Sequence, residues 1–208
     1  MRTMGKVLIL SGFAGSGKGT VCAICREKEP RLKLSVSMTT RAPRPGEVNG
    51  REYTFVSPGE FRQTIREDGF LEYAEYSKNS YGTPKKQFFD MMREGFIPVL
   101  EIETRGAEQA MNKLDSYLSV FLAPPDYKTL EERLRGRGTE TEDAILRRLK
   151  EAKEELRRVG RYQYLILNRD GRAEEAANAI LDLLRDGSTD SPAVVRDKES
   201  FIASFCEA

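Results

Sequence analysis

An apolar run at Val7 to Leu10 leads directly into Gly12-Phe13-Ala14-Gly15-Ser16-Gly17-Lys18-Gly19-Thr20, and a helical pattern follows from Val21 to Lys28. Strand, glycine-rich loop and helix in that order let backbone amides wrap a phosphate while a helix N-terminus faces the anion. The glycines permit the tight wrap and Lys18 adds charge; a glycine-rich turn with a chance lysine is the bland alternative, and it needs neither the strand before nor the helix after. Gly19 occupies the place where the strict loop carries a Ser or Thr on the metal, which moves the nearest hydroxyl to Thr20. Phosphate binding is mostly backbone work and survives this change. The change does take away the direct Ser/Thr ligand that the strict loop offers to an accompanying Mg2+.

The rest of the chain continues the rhythm. Buried-type strands are expected at Leu32 to Ser37, Ile97 to Ile102, Tyr117 to Leu122 and Tyr164 to Leu167, separated by helical segments. Strands alternating with helices imply an α/β fold, a parallel sheet covered on both faces in three layers. From Arg41 to Thr83 the rhythm breaks: REYTFV and FLEYAEY are short, tyrosine-rich and strand-like, with one helix between them. Ser57 and Glu60 have capping-box spacing and Pro58 takes the first helical position, so this stretch reads as a small β-rich insertion. Thr139 and Glu142 repeat the capping-box spacing, opening a long helix to about Val159 with the apolar stripe Ile145, Leu149, Ala152, Leu156. Beyond Arg185, DGSTDSPAVV reads as a linker, and DKESFIASFCEA as a short amphipathic helix or a frayed tail.

A chain of 208 residues fits one domain with a mobile subdomain. Its 34 basic and 33 acidic residues leave a charge of +1, so no global field favours nucleic acid or an anionic membrane. The sequence contains no histidine, which removes imidazole acid–base chemistry and His metal sites and leaves Lys, Arg, carboxylates, hydroxyls and amides. No apolar run approaches a membrane span and the N-terminus runs straight into a strand, so a soluble cytoplasmic setting is expected. Cys22 and Cys25 share a helix face and read as small buried hydrophobes rather than a redox or metal pair.

Two groups of charged residues carry the remaining chemistry. Period two places Glu101 and Glu103 on one face near the carboxyl end of their strand, where open α/β sheets bind ligands; strand-end charges reaching solvent are the alternative. Arg133, Arg137 and Arg148 fall in RLRGRGTETEDAILRRL, where two helices meet. Clustered arginines can stabilise a phosphoryl group in flight without a proton-transfer residue, although a salt-laced surface helix would look alike.

The chain from about Lys6 to Leu184 resembles guanylate kinases, in the run SVSMTTRAPRPGEVNGREYTFVS, in FLEYAEY followed by YGT, in APP before a helix, and in RGRGTETE. The resemblance implies a phosphate-loop core at 5–36 and 91–186, a GMP-binding lobe at about 37–90, a helical lid at about 137–150, and a tail from 187 to 208 without a family counterpart. It implies that Gly12 to Thr20 binds ATP, with Arg137 and with Asn168 near the adenine. Ser37 would donate to the guanine carbonyl, and Glu72 would accept from the ring N–H and the exocyclic amine. Leaving such groups unpaired penalises the wrong base. Arg41, Arg44, Tyr53 and Tyr81 would clamp the GMP phosphate, with Thr83, Glu101 and Glu103 completing the acceptor site. Lys18, Arg41, Arg133, Arg137 and Arg148 would stabilise the transferred group.

Three positions depart from the family pattern. GFAG stands for the usual GPSG, Glu103 for the usual aspartate, and the tail has no match. The resemblance implies transfer of the γ-phosphoryl group of ATP to GMP, and to dGMP, with Mg2+ as cofactor held mainly through ATP phosphates and water and Glu101 left open as a contact. The expected partners are the small-molecule substrates ATP and GMP, with no nucleic acid and no membrane. The rival readings are a guanylate-kinase-like module that binds phosphoproteins and a kinase of ribosyl bisphosphate.

Overall fold

The computed structural model describes residues 7–76, 78–136, 138 and 141–205. Its core is a parallel sheet of five strands: β1 (Leu8–Gly12), β2 (Leu32–Leu34), β7 (Ile97–Glu101), β8 (Leu118–Ala123) and β9 (Tyr164–Leu167), ordered β2-β7-β1-β8-β9. Alternation along β1 divides the apolar core in two. Ile9 faces a cluster with Phe121, Leu149 and Tyr162, whereas Leu8 and Leu10 face the one built on Val21, Cys25 and Ile180. Helices α1 (Lys18–Lys28) and α7 (Ala173–Arg185) cover the second face. The first face is covered by α4 (Thr104–Lys113), α5 (Tyr127–Gly136) and α6 (Glu142–Leu156), followed by a 3₁₀ turn at Val159–Arg161. This is the three-layer arrangement that the alternating pattern implies.

A second sheet, ordered β4-β3-β6-β5, forms the insertion, from β3 (Met38–Thr39), β4 (Thr54–Phe55), β5 (Phe70–Tyr76) and β6 (Asn79–Pro84). Helix α2 (Pro58–Arg66) starts on the expected capping box, the Ser57 side chain accepting from Glu60 N while the Glu60 carboxylate accepts from Ser57 N. Helix α3 (Lys85–Arg93) leads back to the core. The lobe docks through β5 on α4: Gln109 Nε2 donates to Tyr73 O at 2.8 Å and Lys113 Nζ to Leu71 O at 2.7 Å. Glu72 is thereby carried to the edge of the core.

Several boundaries differ from the sequence reading. The strand expected at Leu32 to Ser37 stops at Leu34, and in REYTFV only Thr54–Phe55 pairs as strand. Thr139 lies outside the described residues, and α6 is capped by Thr141, whose side chain accepts from Ala144 N at 3.4 Å. Glu142 is the first residue of that helix and forms a bidentate pair with Arg135, at 2.5 and 2.9 Å. The apolar stripe Ile145, Leu149, Ala152, Leu156 is buried as expected.

The stretch read as a linker is bound to the sheet. Ala193 and Val194 are buried, Leu167 N donates to Ala193 O at 2.8 Å, and Val195 N to Leu165 O at 2.9 Å. The tail then forms helix α8 (Lys198–Phe205), whose Phe201 and Phe205 enter the core. Asp197 holds its start by accepting from Ser200 N at 2.9 Å. Among the described residues no helix is long and apolar enough to cross a membrane.

Candidate active site

The phosphate loop joins β1 to α1, which begins at Lys18, three residues before the expected start. Its N-cap, Gly17, has φ 88° and no side chain to cap the first turn, and that turn carries no acidic residue. No side chain of the cap or of the first turn therefore competes with an anion for the first-turn amides. Only glycine fits at position 17, because a Cβ there would lie 2.4 Å from Asn168 Nδ2. That nitrogen donates to Ser16 O at 2.8 Å, so Asn168 braces the loop. Lys18 Nζ donates to Gly12 O at 2.5 Å and Phe13 O at 3.2 Å. Phe13 presents only backbone to the loop, since its ring is fully buried. Gly19 and Thr20 are exposed.

Beyond Lys18 opens a cavity of about 310 Å³ between core and lobe, lined by Lys18, Ser37, Arg41, Arg44, Glu47, Tyr53, Glu72, Ala74, Tyr81, Glu101, Ile102, Glu103 and Gly106. The residues expected to contact the acceptor thus meet in one space, with the exception of Thr83. That residue is buried behind Glu72 and donates its hydroxyl to Glu72 Oε1 at 2.6 Å. Burial raises the Glu72 carboxyl above its usual value, opposed by the Thr83 hydrogen bonds and by Lys113.

At the other end, Arg41 forms a bidentate pair with Glu47, at 3.0 and 2.9 Å, and lies 5.2 Å from the Tyr53 ring centre. Glu47 also accepts from Arg44 N at 2.7 Å, which ties both arginines to one carboxylate. The Tyr53 and Tyr81 rings meet edge to face at 5.9 Å. Burial raises the Tyr53 phenol, and the neighbouring Tyr81 adds to the shift, so its hydroxyl remains a donor.

Strand β7 ends at Glu101, and Glu103 is the N-cap of α4 rather than a strand residue, yet both line the cavity. Burial raises Glu101, with Lys18 opposing and Glu103 reinforcing the shift. Glu155 on α6 faces Glu103; burial, then the charge of Glu103, push the Glu155 carboxyl well above its ordinary value. Arg133 donates to Asn168 O at 2.7 Å and pairs with Asp170 at 2.6 Å. Arg148 is half-buried on α6, and Arg137 lies outside the described residues.

Sequence reasoning assigned nothing to Glu47, Gly106, Ala74, Ile102 or Glu155. Glu47 had a signal, since it belongs to the R-x-x-R-x-G-E run. Gly106 had none: it matters because a Cβ there would lie 2.2 Å from Glu72 Oε2, a contact between separate elements. Cys22 and Cys25 are buried free thiols, each pushed up to about 12 by burial, consistent with packing rather than chemistry.

The family model described as guanylate kinase matches residues 4–186. Guanylate kinase of Caldanaerobacter subterraneus subsp. tengcongensis is 43% identical over 182 residues, covering 87% of this chain and 88% of that one. Guanylate kinase of Nostoc sp. is 46% identical over 166 residues, covering 80% and 83%. The crystal structure of guanylate kinase from Anaplasma phagocytophilum superposes with a TM-score of 0.70 at 32% identity, covering 92% of this chain and 90% of that one. A glycine-rich loop opening onto a polar cavity, on this fold and with this similarity across nearly the whole chain, establishes that the chain belongs to the guanylate kinase family.

Proposed function

We propose that the chain transfers the γ-phosphoryl group of ATP to GMP, and to dGMP, releasing ADP and GDP or dGDP. The observation that carries this reading is one cavity lined by Ser37 and Glu72 together with Arg41, Arg44, Tyr53, Tyr81 and Lys18 of the loop. A hydroxyl donor and a carboxylate acceptor match the guanine edge; two guanidiniums and two phenols match a phosphate. Lys18 belongs to both the loop and the cavity, which is where donor and acceptor phosphates must meet.

The loop amides and Lys18 bind the ATP phosphates, and the arginines neutralise charge spread over the moving group. An oxygen of the GMP phosphate forms the new bond to the γ-phosphorus as the bond to the β-γ bridging oxygen breaks, and ADP leaves with that electron pair. The attacking oxygen is already anionic, so no general base is needed and the lack of histidine is no obstacle. On ATP arrival Lys18 exchanges the carbonyls of Gly12 and Phe13 for phosphate oxygens. Arg41 likewise exchanges Glu47 for the GMP phosphate. Core 5–36 and 91–186, lobe 37–90 and lid 137–150 move relative to one another to bring the phosphates in line and exclude water.

The residues present fit Mg2+ bound chiefly through ATP. Glu101 places a half-buried carboxylate beside Gly19, and among the described residues no group of three or more Cys, Asp or Glu could hold an ion alone. Mg2+ would be held mainly by ATP phosphates and water, with Glu101 the carboxylate that could contact it, and would supply positive charge to the phosphates. The buried free thiols support a reducing, cytoplasmic setting. The phosphoprotein-binding alternative is disfavoured by an intact loop and Lys18.

The test is ADP release with GMP, dGMP, IMP, AMP, UMP, CMP and ribose 1,5-bisphosphate as acceptors. Turnover restricted to GMP and dGMP is expected. Turnover with AMP or the ribose compound and none with GMP would overturn the reading.

A further inference from the structure

We propose that helix α8 is a positioning element of the donor site, acting through a stack of Phe205 on Phe13 that holds the phosphate loop in shape. The inference rests on the reading of that loop as the ATP site.

Phe13 lies inside the loop, yet its ring points away from the ligand side and is fully buried. It stacks on Phe205 with centroids 5.0 Å apart and an interplanar angle of 22°, and meets Phe121 edge to face at 4.9 Å. Phe121 belongs to the sheet, so the ring is gripped between β8 and α8. The backbone of the same residue organises the loop. Phe13 O accepts from Ser16 N at 3.0 Å, closing the turn, and from Lys18 Nζ at 3.2 Å. The position of the ring therefore sets the position of the carbonyl around which the loop and its lysine are arranged.

Phe205 is itself held in place. It is 2% exposed, and Phe201 lies 5.1 Å from it across one turn of α8. The helix is tethered upstream by the pairing of Ala193 and Val195 with β9 and by Lys198 Nζ, which donates to Tyr162 O at 2.6 Å. A side chain so anchored transmits its packing to whatever it touches, and what it touches is the loop. An aromatic pair of this kind contributes about 0.5–1.5 kcal/mol beyond its buried area. Ser37 and Glu72 sit in the other lobe, so the contribution falls on ATP rather than GMP.

The experiment is steady-state kinetics on the full chain carrying Phe205→Ala, Phe205→Leu or Val194→Ala, varying ATP and GMP separately and recording thermal unfolding. For Phe205→Ala the KM for ATP should rise about fivefold while that for GMP stays unchanged. Phe205→Leu should restore part of the loss. Val194, on the same tail but packed on the opposite face of the sheet, should lower the melting temperature when cut to Ala and leave the KM for ATP alone. Equal changes in both KM values, no change in either, or an ATP effect reproduced by Val194→Ala would overturn the proposal. If Phe205→Ala is not recovered folded, Phe205→Leu decides: a smaller rise confined to ATP supports the proposal and no rise overturns it. Absence of GMP-dependent turnover in the unsubstituted chain would instead refute the functional reading.

Discussion

The hydroxyl of Thr83 donates to Oε1 of Glu72 at 2.6 Å, and both side chains are buried. One carboxylate oxygen is thereby engaged from behind, and the other, Oε2, lies beside Gly106 in the wall of the cavity. Thr83→Val keeps the shape and removes the donor. Leaving a buried carboxylate oxygen unpaired costs about 1–3 kcal/mol. The expected result is a lower unfolding midpoint in urea and a rise of about tenfold in the KM for GMP, with the KM for ATP unchanged.

Gly106 gives Glu72 room. Alanine there would gain about 1 kcal/mol of helix propensity. Its Cβ, however, would lie 2.2 Å from Oε2, so the carboxylate must move. Gly106→Ala should therefore raise the KM for GMP at least about tenfold despite favouring α4, with circular dichroism confirming an intact helix. An unchanged KM for GMP would show that Glu72 does not need its observed position.

The Glu103–Glu155 pair predicts a pH effect. Burial and the charge of Glu103 raise the Glu155 carboxyl in the folded chain above its ordinary value of 4.5. The folded state therefore holds the proton more tightly than the unfolded one. The associated stability is complete below the unfolded value and is lost as pH rises through the folded value. Glu155→Gln removes this loss, so its stability relative to the unsubstituted chain should improve as pH rises above 4.5. Urea unfolding of both chains at acidic and mildly alkaline pH measures the difference.

Asn168 braces the loop through Ser16 O, at 2.8 Å, besides its implied place near the adenine. Asn168→Ala should weaken inorganic tripolyphosphate about as much as ATP, by roughly three- to tenfold on the scale of one lost hydrogen bond. A loss confined to ATP would assign the side chain to the base. Calorimetric titration of both ligands separates the outcomes.

The parts of the molecule legible in the sequence are those with a local signal. The strand–loop–helix at Val7 to Lys28 and the apolar stripe of α6 follow from spacing along a single element. Ser37, Tyr53, Glu72 and Tyr81 come from separate stretches of the lobe, and a motif family, not periodicity, brought them together. Thr139 and Thr141 offer the same residue type two positions apart, and the cap falls on Thr141, with Glu142 already inside the helix and paired with Arg135. Glu47 and Gly106 act through contacts between elements, which leave no periodic trace. Phe13 reads as the loss of a rigid proline until the Phe205 ring is seen against it.

The pairing of Val194 with Ile166 has a consequence for solubility. β9 is an outer strand of the parallel sheet, and an uncovered outer strand offers unpaired amides and carbonyls to any neighbouring chain. Residues 193–195 occupy some of those groups, so the tail also acts as a selvedge, a finished border that keeps the sheet from recruiting further strands and clumping in a crowded solution.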